Sequence, residues 1–304
     1  MKVGLFPGCS LAGSGREYGE SLKAIAPALG VELQEVPDWN CCGASAAHTL
    51  NHKLALALPA RILALAERAG FSDLLVPCSA CYSRLMITRN DLLASDDLRK
   101  EINGIIEMEC KATVRVLNVL EFLAKHTTNG FAGKVVKPFK HKVACYYGCY
   151  LTRPPKVVKA EREEDPTAMD DLVRVAGGDP IDWAFKVECC GAGLSVSRTD
   201  TVARLSGRIL DDAAVRGAKA VVVACPMCHS NLDLRREAIE QHMGKHYSMP
   251  VLYITQVLGM ALGLDERALG LHRHLVSVEL PAVGEEPAAR EAKAELQTAG
   301  QKDE

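Results

Sequence analysis

The sequence predicts an α/β protein of two similar lobes, each a short, mainly parallel sheet with flanking helices, related by a pseudo-twofold axis. Three repeated stretches predict it. Asn40-Cys41-Cys42-Gly43-Ala44 returns as Glu188-Cys189-Cys190-Gly191-Ala192. The segment Leu74-Leu75-Val76-Pro77-Cys78-Ser79-Ala80-Cys81 returns as Val221-Val222-Val223-Ala224-Cys225-Pro226-Met227-Cys228. Phe6-Pro7-Gly8-Cys9 returns as Tyr146-Tyr147-Gly148-Cys149. Repetition in one order marks an internal duplication. The expected boundaries are 1–133 and 134–264, with 265–304, rich in Glu, Ala and Lys, as a polar, partly disordered tail.

Composition bounds the function. A chain of 304 residues, 48% hydrophobic, can bury the cores of two ordinary domains. Its formal net charge of −2 argues against a nucleic-acid footprint. The sequence shows neither a basic opening followed by an apolar run nor an uncharged apolar stretch long enough to span a bilayer. The expectation is a cytoplasmic protein without an integral membrane span. Twelve cysteines in a long, core-forming chain of this kind point to metal or redox chemistry rather than to a disulfide scaffold.

In chain order, Lys2 to Phe6 is apolar enough for a short buried strand ending at Cys9. Leu11 to Arg16 is Gly-rich and opens a helix through Leu29; it lacks the Lys-Ser/Thr of a phosphate loop, so a tight turn near Cys9 is expected. Val31 to Val36 alternates as a strand and leads into Cys41-Cys42. A helix from His48 to Ala69 follows, with Pro59 as a point of kinking or splitting. His48 and His52 are one helical turn apart without a zinc-protease frame and are expected at the surface. Asp73 to Val76 is a buried strand running into Cys78-Ser79-Ala80-Cys81, which starts a helix. That arrangement puts two thiols at the carboxyl end of a strand and the amino end of a helix, where negative charge is stabilised and open α/β sheets bind ligands. Asp91 to Cys110 is a polar surface stretch, Val114 to His126 has helical spacing, and Lys134 to Lys142 is a basic linker. The second lobe repeats the pattern, with Val119-Leu120 matched to Val257-Leu258. Cys110 and Cys145 lie outside the repeated thiols; Cys145 is expected to face away from them along its strand.

Each lobe thus presents five cysteines, C-x31-CC-x35-CxxC and C-x39-CC-x34-CxxC. Adjacent cysteines suit one multinuclear, soft-metal centre better than a disulfide. The following glycines, Gly43 and Gly191, suit turns at positive φ. A zinc site closes at four ligands and a cubane cluster takes four cysteines, so five leave either one idle thiol or a larger iron–sulfur assembly. Spacing alone leaves open which metal is bound.

These motifs, with Pro250-Val251-Leu252-Tyr253-Ile254-Thr255-Gln256, resemble the tandem CCG (cysteine-rich) domain family to which the B subunits of heterodisulfide reductase belong, over about residues 1 to 264. The resemblance implies two noncubane 4Fe-4S clusters. One would be held by Cys9, Cys41, Cys42, Cys78 and Cys81, the other by Cys149, Cys189, Cys190, Cys225 and Cys228, and these cysteines would also be the catalytic and cofactor-binding residues. Zinc in one half is the minor alternative. It further implies cleavage of a small-molecule disulfide, of coenzyme M–coenzyme B type or an analogue, by one-electron steps. The implied partners are an iron–sulfur C-type subunit and a flavin-containing A-type subunit, or a larger electron-bifurcating assembly. CCG domains also occur in electron-relaying subunits of lactate, glycolate and succinate dehydrogenase systems, which is the competing expectation. Tyr146 and Tyr150 stand where the family often has histidine. Arg16, Arg153 and Arg198 are candidates to meet a leaving thiolate or an anionic substrate group.

Overall fold

The computed structural model describes residues 1–44, 46–128, 130–160 and 162–280. The first lobe runs β1 (Lys2–Leu5), α1 (Gly8–Ala12), α2 (Arg16–Ile25), β2 (Glu32–Glu35), α3 (Ala47–Leu50), α4 (His52–Arg68), β3 (Asp73–Leu75), α5 (Ser79–Ala94), α6 (Asp96–Ile106), β4 (Arg115–Leu117) and α7 (Val119–Thr127). The second runs β5 (Lys142–Tyr146), α8 (Pro155–Val158), α9 (Ala168–Val175), β6 (Asp179–Pro180), α10 (Thr199–Val215), β7 (Ala220–Val223), α11 (Pro226–Leu232), α12 (Arg236–Met243), β8 (Val251–Tyr253) and α13 (Ile254–Ala261).

Each lobe holds one four-stranded, wholly parallel sheet, ordered β2-β1-β3-β4 and β6-β5-β7-β8. The central strands β3 and β7 are buried along their whole length, as strands covered by helices on both faces must be. Polar β2 lies at one edge, and β6, which ends in Pro180, takes the matching edge where a missing N–H is tolerated. The order reverses direction between β1 and β3, and between β5 and β7. Those crevices are where a sheet of this class accepts a ligand.

The pseudo-twofold shows in how the lobes interleave. The last helix of the second lobe, α13, packs on α2 of the first, and α7 of the first packs on α9 of the second. Tyr18 of α2 stacks on Tyr253 with ring centroids 4.1 Å apart, and its hydroxyl donates to the Ala224 carbonyl at 3.1 Å. Ser21 and Thr255 share a 2.7 Å hydrogen bond beside them.

Three sequence expectations need correction. The helix expected from His48 to Ala69 breaks at Asn51, not at Pro59. Asn51 is extended, and its side chain caps α4 by accepting from the Leu54 N–H at 3.0 Å; Pro59 sits buried inside α4. Second, Val119-Leu120 is not the counterpart of Val257-Leu258. Leu74 pairs with Val116, and Val221, its repeat, pairs with Val251, so Asn118 corresponds to Tyr253 and Glu121 to Gln256. Both helices open with the same reciprocal cap, Glu121 accepting from the Asn118 N–H and Gln256 from the Tyr253 N–H.

Third, the segment from Asp265, assigned to the polar tail by composition, is packed on the body as far as Leu280. Leu269 is fully buried against α13, Leu271 is buried, and Arg273 pairs with Glu20 at 2.9 Å. The rest of the expected tail, 281–304, lies outside the described residues.

Candidate metal centre

Each repeated cysteine arrives at the same point in the order of strands and helices in both lobes. Cys9 follows β1 in the first turn of α1, and Cys149 follows β5. Cys78 and Cys225 are the residues preceding α5 and α11, and Cys81 and Cys228 lie one turn into those helices. The Cys41-Cys42 and Cys189-Cys190 turns sit before α3–α4 and α10. Their trailing glycines adopt φ of 75° and 81°, the left-handed region, and their N–H groups donate to Cys41 Sγ at 3.4 Å and to Cys189 Sγ at 3.3 Å.

Ten sulfurs therefore meet at the facing crevices. Cys42 and Cys81 Sγ are 3.0 Å apart and Cys190 and Cys228 Sγ 3.7 Å apart. Both distances are well beyond the about 2.05 Å of a disulfide, and all twelve cysteines are free. Cys41 lies within electrostatic reach of Cys9, and Cys149 within that of Cys189. Cys78 lies within electrostatic reach of Cys81 in its own lobe and of Cys225 across the lobe boundary. The thiols of the two lobes approach one another through Cys78 and Cys225. Cys9, Cys41 and Cys189 are the exposed members and Cys149 is half-buried; the other six are buried.

The electrostatics are those of thiols competing for few protons. The neighbouring Cys81 thiol lowers Cys42 to about 7, and the Cys149 thiol lowers Cys189 to about 6. Cys81 and Cys149 are pushed up, chiefly by Cys42 and Cys189 respectively, and burial adds to the effect. Cys225 is lowered by Cys228 and Cys78 together. The largest influences on these eight shifted thiols are other thiols, burial, backbone N–H groups, the Ser79 hydroxyl and the Glu188 carboxylate. Ten soft donors gathered in this way suit a centre whose positive charge comes from metal ions.

Glycine makes the close approach feasible. A Cβ on Gly148, at φ +68°, would stand 2.9 Å from Cys228 Sγ, and one on Gly8, at φ +61°, 3.4 Å from Cys81 Sγ. Sequence reasoning missed two supporting residues. Asn231 donates to the Cys190 carbonyl at 3.0 Å and approaches its sulfur at 3.6 Å, while Asn40 ties the first cysteine pair to the Leu58 carbonyl of α4 at 3.1 Å. Asn40 was visible only as the first letter of a motif, and Asn231 has no counterpart in the first lobe, where Arg84 holds its place.

The remaining candidates separate cleanly. Cys145 is buried on the face of β5 opposite Tyr146, and burial raises its thiol strongly. Cys110 is a core thiol pushed up to about 11 by burial. Tyr146 reaches the second group of thiols and donates to the Glu188 carbonyl at 2.6 Å; Tyr150 is exposed. Arg153 and Arg198 pair with Glu164 and Asp200, and Arg16 donates to the Ala12 carbonyl at 3.4 Å. His48 and His52 are exposed.

Comparison with known proteins agrees with this geometry. The CCG family, described as a cysteine-rich domain, matches residues 3–86 and 143–233. The chain is 33% identical over 275 residues to the 8-methylmenaquinol:fumarate reductase membrane anchor subunit of Wolinella succinogenes, covering 89% of this chain and 95% of that one. It is 31% identical over 282 residues to the B subunit of the Ferredoxin/F(420)H(2)-dependent CoB-CoM heterodisulfide reductase of Methanosarcina acetivorans, covering 90% and 94%. A crystal structure of a hypothetical protein from Helicobacter pylori shares the fold, with a TM-score of 0.76 at 14% identity over 91% of this chain and 52% of that one. With both cysteine-rich repeats matched and these relatives aligned over nearly their whole length, the chain belongs to the tandem CCG-domain family that includes the B subunits of heterodisulfide reductase.

Proposed function

We propose that this chain is the disulfide-reducing subunit of a heterodisulfide-reductase-type complex. Cys9, Cys41, Cys42, Cys78 and Cys81 would hold one noncubane 4Fe-4S cluster, and Cys149, Cys189, Cys190, Cys225 and Cys228 a second. The observation that carries this reading is the gathering of five repeated cysteines in each lobe around a close inner pair, Cys42 and Cys81 at 3.0 Å and Cys190 and Cys228 at 3.7 Å. Two redox centres of one-electron capacity, side by side, match the two electrons that a disulfide requires. Bound clusters would supply single-electron transfer and iron sites for sulfur.

The chain's own residues divide the remaining work. The buried cysteines anchor, while Cys9, Cys41 and Cys189 form the rim open to solvent, where a small disulfide can reach the centre. Gly8 and Gly148 keep the backbone close to the inner sulfurs. The balanced reaction takes one disulfide, two electrons and two protons to two thiols. The electrons come from a partner, for which an iron–sulfur subunit of the C type, itself fed by a flavin subunit of the A type, fits the family. Twelve free thiols suit a reducing, cytoplasmic setting. Five thiolates per lobe exceed the four that close a zinc site, which favours iron–sulfur over zinc in either half.

A second reading has its own support: one relative is named as a subunit of a fumarate reductase. On that reading the clusters only relay electrons. Among the described residues no helix is long and apolar enough to cross a membrane. The test is to reduce cluster-loaded protein under anaerobic conditions, add a small disulfide and count free thiols. Two thiols per disulfide, with stoichiometric reoxidation, support the reductase; reoxidation by other acceptors with no thiols formed from any disulfide tested supports the relay.

A further inference from the structure

The ten repeated cysteines match in their order along the chain, but the side chains that hold them do not. The repeat runs on through α4 and α10, which correspond residue for residue, Arg61-Ile62-Leu63 returning as Arg208-Ile209-Leu210. In that register three positions beside the thiols differ. Arg84 of α5 stands where α11 has Asn231, Pro59 of α4 where α10 has Ser206, and Ser79 where the second lobe has Pro226.

Each difference places a donor on the second group of thiols. Asn231 is 1% exposed. Its Nδ2 donates to the Cys190 carbonyl at 3.0 Å and to Cys190 Sγ at 3.6 Å, within reach of so large an acceptor. The carbonyl can only accept, so it fixes which end of the amide faces the cysteine. Ser195 Oγ lies 2.9 Å from the amide oxygen, and Ser206 donates to the same Cys190 carbonyl at 3.2 Å. The Ser79 hydroxyl, on α5 of the first lobe, is close enough to Cys225 to lower its thiol. The first cysteine pair is held differently. Asn40 donates to the carbonyl of Cys41, the exposed member, at 2.9 Å. The inner Cys42 Sγ bonds to Cys81, and among the described residues Arg84 donates no hydrogen bond to it.

Adding an electron to a thiolate-held centre adds negative charge, and a donor aimed at a ligand sulfur stabilises that charge; hydrogen bonds to the sulfurs are among the levers that set cluster potentials. The amide of Asn231 is buried and acts with little screening. The Glu188 carboxylate, which opposes it through Cys189, is exposed and screened by water. We propose that Asn231 is a positioning residue that raises the reduction potential of the second centre through Cys190, so that the duplicated halves have unequal potentials. The proposal rests on the two-cluster reading above and deepens it.

The test is potentiometric titration of the anaerobically purified full chain, followed by paramagnetic resonance, beside iron per chain. The unsubstituted protein should show two midpoints and about eight irons. Asn231→Leu, similar in volume, should lower one midpoint by the equivalent of about tenfold, or about 59 mV for one electron, and leave the other in place. Asn231→Asp keeps the shape of the side chain and replaces the donor with an acceptor; it should lower the same midpoint at least as far, and it decides the matter alone where the leucine variant fails to fold. A full complement of iron with both midpoints unmoved, or with both moved together, would overturn the proposal. So would a single midpoint shared by both centres of the unsubstituted protein. Loss of about four irons in both variants would overturn it in favour of a purely structural role in holding the cluster. Fewer than about eight irons in the unsubstituted protein would overturn the cluster reading and this proposal with it.

Discussion

At the scale of single residues, the site depends on atoms that are absent as much as on thiols that are present. Gly148 combines positive φ with a 2.9 Å approach of its would-be Cβ to Cys228 Sγ. Gly148→Ala should therefore cost about 1–3 kcal/mol and empty the second centre while sparing the first. Iron per chain should fall by half, and unchanged iron would argue against this account of the turn. Asp73 makes the residue scale visible in pH. Hydrogen bonds from Arg115 at 2.8 Å, with Lys125 beside it, hold its carboxyl below the ordinary range. A depressed carboxyl adds stability that is complete above its unfolded value, about 3.9, and that is lost as pH falls through the folded value. Asp73→Asn should lower stability at pH 7 by on the order of 1–2 kcal/mol and flatten its decline below pH of about 4, as followed by urea unfolding. The ten cysteines were legible in the sequence because spacing repeats. Asn231 was not, since its contact with Cys190 joins residues on different elements and has no echo in the first lobe.

Among elements, the ones whose signals are local matched expectation, and the ones set by tertiary packing did not. The strand-to-CxxC-to-helix units were readable because an apolar run ends at a cysteine that precedes a helix. The break at Asn51 was readable in principle from its capping side chain, but Pro59 is the louder signal. The segment 265–276 was misjudged on composition, since its acidic, basic and histidine residues outnumber its apolar ones. Its anchoring rests on a few contacts: Leu269 and Leu271 buried, Gln256 donating to a carbonyl, and Asp233 accepting from the Leu275 N–H at 2.9 Å. His229, Asp233 and His274 bring ligand-type atoms within 4.8 Å of one another here, but hydrogen bonds to Val251, Leu275 and Gln256 already engage all three. Leu269→Ala should cost about 2–4 kcal/mol, a value near that of a core leucine. A cost below about 0.5 kcal/mol, typical of a surface site, would mean that the segment is only loosely laid on.

For the whole molecule, duplication explains the layout but not the dependence of one lobe on the other. α2 completes its packing on α13, α7 on α9, and Cys78 meets Cys225 at the boundary. Fragments cut at the proposed boundary, 1–133 and 134–304, should each fail to show a cooperative unfolding transition alone and should recover one when mixed. Independent, unaltered transitions would refute the interleaving argument. The central claim is that the ten repeated cysteines hold two iron–sulfur clusters open to sulfur ligands. Its most direct test is iron and acid-labile sulfide per chain on anaerobically purified protein, with paramagnetic resonance spectra before and after adding a thiol. The account predicts about eight of each and a new signal when thiol is added under oxidising conditions. Zinc in place of iron, or full iron and sulfide with spectra indifferent to thiol, would contradict it.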